Sequence, residues 1–189
     1  MITGATSGIG PASARRFAEE GAKLFIAGRR QAQLDAAVRT IRRGAVGVRG
    51  DISCGADLDH LYAVARDQVG AIDNFFANAG GGEFRKLEDI TEDHYYRTFD
   101  SNVKGTLFTE QKALPLLRDG ASVILTGSTA ATTGTPAFTV YGASKAAAAS
   151  HATGSLSSLP APSASMCSCR VPPRRKAGIA SRRPRSRTR

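Results

Sequence analysis

Short apolar runs alternate with helix-period segments along the first 149 residues, and that alternation restricts the fold more than any other feature of the chain. Residues 23–27 (KLFIA), 45–48, 71–77 (AIDNFFA) and 122–126 (SVILT) read as strands. Between them Leu34, Val38 and Ile41 recur at helical spacing, as do Leu58, Leu61, Val64 and Ala65. Thr91 predicts the N-cap of one long helix running through Phe99, Val103, Leu107 and Leu114. Strands joined by helices of this length need crossover connections, which build an α/β, doubly wound parallel sheet. Only Met1 and Ile2 precede the first glycine-rich turn, so the first strand is expected to be very short.

That turn, Thr3-Gly4-Ala5-Thr6-Ser7-Gly8-Ile9-Gly10, leads into a helix through Arg15, Phe17 and Ala18. Its glycines permit a tight turn and close backbone approach, and the helix start then offers N–H groups to a pyrophosphate. The second strand ends in Gly28-Arg29-Arg30, where a carboxylate would select a ribose 2′-hydroxyl and an arginine suits a 2′-phosphate. The absence of an acid at this place favours NADP(H) over NAD(H), with Arg29 as the principal contact and Arg30 secondary. Asp51 and Ile52 close the third strand, within reach of an adenine amino group. Asn78, ahead of Ala79 and Gly80, ends the fourth as a polar side chain that needs a partner and is expected to brace neighbouring strands.

Ser128 follows the fifth strand, at the carboxyl edge where doubly wound sheets bind ligands. Tyr141 stands thirteen residues later and Lys145 four beyond that, so phenol and ammonium share a helical face. A nearby cation favours the phenolate and makes the tyrosine a usable general acid/base, while Ser128 is placed to hold a substrate oxygen.

The motifs TGATSGIG, ANAG, SNVKG and YGASK, in this order with Ser128 between the last two, resemble the short-chain dehydrogenase/reductase family over residues 1 to about 148. The resemblance implies a Rossmann-like fold and hydride transfer between NADP(H) and a carbonyl or secondary alcohol. Tyr141 would exchange the proton, Lys145 would assist it and hold the nicotinamide ribose, and Asn102 would hold a water relaying protons to Lys145. It places Thr3, Gly4, Ser7, Gly8, Ile9 and Gly10 at the cofactor phosphates, Asp51 and Ile52 at the adenine, and Asn78, Ala79 and Gly80 beside the nucleotide. It also implies a homodimer or tetramer. Ala77 stands where many family members carry a first asparagine, and Asn78 keeps the second.

After Ala149 the family pattern stops. Residues 150–189 form a basic Ser/Pro/Arg-rich tail with five of the eight prolines. Nine of the 26 basic residues lie between Arg170 and Arg189, and no acidic residue follows Asp119. Residues 1–169 carry 17 basic and 16 acidic side chains, so the formal charge of +10 belongs to the tail. Such a segment buries too little apolar surface to offset its ordering entropy, and disorder is expected. A reading-frame shift near codons 146–150 accounts for it, since Met166-Cys167 forces a valine codon in the shifted frame and the neighbouring codons permit the family's next strand. The sheet is then incomplete at its C-terminal edge, and weak nucleotide binding with little turnover is expected of the chain as written. Two other readings stand behind the oxidoreductase: a nucleotide-binding remnant without catalysis, and nucleic-acid binding through RRPRSRTR, placed last because the shifted frame accounts for the basic run. Cys54, Cys167 and Cys169 make neither a disulfide framework nor a metal site. The lack of a signal sequence and of a long apolar run leads to an expectation of a cytoplasmic protein without membrane contact.

Overall fold

A computed structural model of the chain describes residues 1–41, 44–155 and 159. Five strands, β1 (Ile2–Thr3), β2 (Phe25–Gly28), β3 (Val46–Arg49), β4 (Ile72–Ala77) and β5 (Leu117–Leu125), form one sheet in the order β3-β2-β1-β4-β5. Every pairing is parallel. Six helices connect and flank them: α1 (Ile9–Glu19), α2 (Gln31–Ile41), α3 (Gly55–Val69), α4 (Glu92–Phe99), α5 (Gly105–Ala113) and α6 (Thr139–Ser155).

Strand alternation divides the core in two. Phe25, Val48, Phe75 and Val123 face Leu58 and Leu61 of α3, with Ala113 and Ala152 from the ends of α5 and α6. Ile2, Ile26 and Phe76 point the other way, against Ala14 of α1 and Leu34 and Ile41 of α2. Covering both faces leaves β2 without a polar side, which is why it reads as an unbroken apolar run, while Asp73 and Asn74 stay exposed at the start of β4. The two-residue β1 sits at the centre, pairing Ile2 with Ile26 on one side and Phe76 on the other. Strand order reverses between β1 and β4, and this opens a crevice at the carboxyl ends of the strands.

Three elements depart from the sequence expectation. The fifth strand begins at Leu117 rather than residue 122, because Arg118, Asp119 and Gly120 continue it at an exposed edge. The expected long helix is two: Thr91 does cap α4, accepting the His94 N–H at 3.2 Å, but residues 100–104 widen into a π turn before α5. Thr106 Oγ1 donates to the Asn102 carbonyl at 2.9 Å within this widened turn. Helix α6 continues past Ala149 to Ser155. Ala152 is buried in the first core, and His151 Nε2 and Ser155 Oγ bond the two oxygens of buried Glu110 at 2.6 and 2.7 Å. These contacts hold a stretch whose composition alone predicts no helix. The tail beyond Ser155 and the frame-shift reading lie outside the described residues, Leu159 apart.

Candidate active site

The crevice is a single cleft of about 760 Å³ that runs from the start of α1 to Tyr141 and Lys145. At one end Gly8 caps α1 in the left-handed region (φ 67°), and a Cβ built on it would meet nothing within 4 Å. No side chain caps the helix and its first turn carries no acid, so its N–H groups face open cleft as an anion cradle. Gly4, Ser7, Gly8 and Ile9 line this end. Thr3 and Gly10 stand behind it. Thr3 is buried and its Oγ1 accepts from the Asn78 and Ala79 N–H groups at 3.1 and 3.2 Å. A Cβ on Gly10 would fall 2.8 Å from Ala5 Cα and 2.9 Å from Asn78 Nδ2, so this glycine lets α1 dock on β1.

Asn78 braces three strand ends, as expected. Its Nδ2 donates to the carbonyls of Thr3 and Gly4 at 3.3 and 3.1 Å, and its Oδ1 accepts from Thr126 Oγ1 at 3.2 Å. Asn78, Ala79 and Gly80 also line the cleft.

At the ends of β2 and β3 Arg29 lies 3.5 Å from Asp51 Oδ2, so two residues expected at the nucleotide pair with each other. Asp51 Oδ1 accepts from the Ser53 N–H and O–H. Burial pushes the Asp51 carboxyl up, but the Ser53 bonds and Arg29 outweigh it and hold it below the usual carboxylate range. Arg30 also lines the cleft and reaches a side pocket of about 300 Å³ shared with Ser7 and Arg15. Ile52 forms part of the floor and packs into the core.

At the other end Ser128 follows β5, and its Oγ accepts the Ala130 N–H at 3.2 Å. The hydroxyl hydrogen remains available to a substrate oxygen. Lys145 is 4% exposed, donates to the Thr126 carbonyl at 2.9 Å, and lies 5.9 Å from the Tyr141 ring centroid. Burial of the ammonium lowers its pKa from 10.5 to about 8. Tyr141 has two close neighbours. Phe138 stacks on it at 4.2 Å, and a Cβ on Gly82 would come within 2.7 Å of its Cγ, so only a glycine admits the ring there.

Asn102 does not reach the cleft. It is fully buried, its Oδ1 accepting the Gly81 N–H at 2.9 Å and its Nδ2 donating to the Gly81 carbonyl and Ser144 Oγ at 2.8 and 2.9 Å. Ser144 Oγ donates to the Tyr141 carbonyl at 2.7 Å. This buried knot ties the loop after β4 and the π turn to the helix that carries the tyrosine. Sequence reading missed Gly81, Gly82, Thr126 and Ser144, although Ser144 lies inside the YGASK motif that pointed to Tyr141 and Lys145. It also missed His94, which is 3% exposed, lines the cleft, and holds the one buried side-chain atom without a partner among the described residues, Nδ1. The described residues contain no group of three or more His, Cys, Asp or Glu able to hold a metal, and no helix long and apolar enough to cross a membrane.

A parallel doubly wound sheet with an anion cradle at one end of its crevice and a Ser-Tyr-Lys constellation at the other defines a nucleotide-binding fold of the oxidoreductase kind. The short chain dehydrogenase model matches residues 1–160, and the chain belongs to that family. Oxidoreductase asL5 of Sarocladium schorii is 49% identical over 149 residues, covering 78% of this chain and 60% of that protein. A short-chain dehydrogenase/reductase from Burkholderia phymatum in complex with NAD superposes with a TM-score of 0.82 at 30% identity, covering 87% of this chain and 62% of the other. A short chain dehydrogenase from Burkholderia cenocepacia in complex with NADP gives 0.77 at 29% identity, over 81% and 64%. The chain spans about 60% of the length of the curated relatives it matches.

Proposed function

We propose that the chain binds NADP(H) along this cleft and serves hydride transfer between it and a carbonyl compound or secondary alcohol. The observation that carries the reading is continuity: one cleft joins the uncapped α1 terminus to Tyr141, Lys145 and Ser128. Open space beside Gly8 and the free N–H groups of α1 suit a pyrophosphate. When bound, the nicotinamide supplies or accepts the hydride. The protein's residues handle the oxygen and its proton. Ser128 donates a hydrogen bond to the substrate oxygen, and Tyr141 gives that oxygen a proton in reduction or takes one in oxidation. The Lys145 ammonium favours the phenolate left behind and bonds the ribose. Asn102 acts from behind, fixing the Gly81 loop and α6 in register; the proton-relay water and the homodimer or tetramer implied by the family belong to the same proposal.

The ion pair between Arg29 and Asp51 supports a different division of roles between the arginines. Arg29 is held by Asp51, so Arg30, facing the side pocket with Ser7 and Arg15, takes the 2′-phosphate. Titration of the 189-residue chain with NADPH and NADH, followed by nucleotide fluorescence, tests this. We expect NADPH to bind roughly tenfold tighter or more, the preference to collapse in Arg30→Ala, and a smaller loss in Arg29→Ala. Equal affinities for the two nucleotides would sink the NADP assignment. Carbonyl-dependent NADPH oxidation abolished by Tyr141→Phe supports catalysis, whereas binding without turnover identifies a nucleotide-binding chain only.

A further inference from the structure

Phe84, Phe138 and Tyr141 form a continuous stack at the catalytic end of the cleft. Phe138 lies on Tyr141 with centroids 4.2 Å apart and planes at 24°, and Phe84 lies on Phe138 at 4.2 Å and 12°. Both phenylalanines line the cleft, yet Phe84 is 57% exposed. The backbone is constrained to make this stack. Ala137, just before Phe138, sits at φ 58°, a left-handed conformation that residues bearing a side chain rarely adopt. Its carbonyl accepts the Arg85 N–H at 2.7 Å, so the residues beside the two phenylalanines are bonded to each other. Strain of this sort persists where the surrounding structure over-determines it, and such sites cluster at ligand clamps.

Resting on the reading above, we propose that this stack is the substrate-recognition wall and that the substrate carries an aromatic ring beside its carbonyl carbon, as an aryl ketone or the matching secondary alcohol. A carbonyl oxygen bonded to the Tyr141 hydroxyl brings its substituent to the edge of the stack, since Phe138 is one ring spacing from Tyr141. Tyr141 and Phe84 cover the two faces of Phe138, so a planar π system there gains edge-to-face contact with the ring edges of Phe138 and Phe84, which a saturated ring of the same size does not. Two apolar rings held at an open cleft, one of them next to the strained Ala137, gain a partner when such a group binds.

Acetophenone and cyclohexyl methyl ketone share the carbonyl and differ in ring character, which makes them the probes. Their affinities for the full 189-residue chain are measured by saturation-transfer NMR with and without NADPH. Acetophenone is expected to bind roughly three- to tenfold tighter, the range an aromatic pair supplies. Phe84→Leu should bring the ratio close to one, Phe84→Tyr, which keeps the ring, should preserve it, and Lys86→Ala on the same loop should leave it unchanged. Equal affinities in the wild-type chain, with and without nucleotide, or a ratio untouched by Phe84→Leu, overturn the proposal. The nucleotide titration separates the two claims. NADPH bound without aryl preference removes only the substrate class, while aryl preference without NADPH binding removes the hydride-transfer reading and leaves the aryl site.

Discussion

Replacing Lys145 by methionine should make the apo chain more stable while weakening its hold on nucleotide. The ammonium is 4% exposed, and its pKa falls from 10.5 to about 8 through desolvation. Between pH 8 and 10.5 the unfolded chain therefore holds this proton more tightly than the folded one. The sign follows: the penalty is full below about pH 8, and this group's contribution to stability rises as pH climbs towards 10.5. At pH 7 the penalty is on the order of 3 kcal/mol. Methionine of similar length removes it, but leaves the Thr126 carbonyl without its donor at a cost of about 1 kcal/mol. The net gain of about 2 kcal/mol corresponds to a Tm rise of roughly 4–8 °C for a chain of this size. Thermal unfolding followed by circular dichroism at pH 7, 8.5 and 10 checks both parts. Wild type should gain stability relative to Lys145→Met as pH rises, closing the gap. A Tm for Lys145→Met several degrees below wild type at pH 7, with an unchanged gap at pH 10, would refute the claim that burial of this charge is costly and kept for function.

Two further substitutions probe the buried frame around the site. Asn102→Leu strips the Gly81 and Ser144 groups of their partners. It should cost about 3 kcal/mol in urea unfolding, a size reserved for broken buried networks, and Asn102→Asp should not restore the lost donor bonds. His94→Leu removes the one buried side-chain atom without a partner among the described residues. It should raise stability by about 1 kcal/mol in the same assay, since no protein hydrogen bond is lost at Nδ1.

The fold was legible because short apolar runs, such as the fully buried β2, alternate with segments whose apolar residues recur at helical spacing. What period does not carry is a local backbone change made by side chains. The π turn at residues 100–104 sits inside an uninterrupted helical pattern, and only the burial of Asn102 and its bonds to distant Gly81 and Ser144 show why the turn widens. The end of α6 was misjudged for a similar reason. His151 and Ser155 are poor signals in a serine-rich tail, but in the fold they are the polar partners of Glu110, which is 2% exposed. A buried carboxylate demands partners whatever the composition around them, and meeting that demand extends the helix.

The site divides along the same line. That Tyr141, Lys145 and Ser128 line one cleft could be anticipated because each lies in a local pattern, a helical spacing or a strand end. The pairing of Arg29 could not be read, because the acid 3.5 Å from it stands at the end of a different strand. A charge at the carboxyl end of one strand is free for a ligand only if its neighbour in the sheet leaves it free, and β2 pairs directly with β3. Gly82 makes the same point about shape. In sequence it is one of three glycines in an unpatterned loop, but in the fold its missing side chain leaves the space that one face of the Tyr141 ring requires. The shape of the cleft thus depends on residues whose signal is an absence: a side chain not built at Gly82, and a capping group not supplied at Gly8. Such requirements become visible only when the partner, nearly sixty residues along the chain in the first case, is brought into contact.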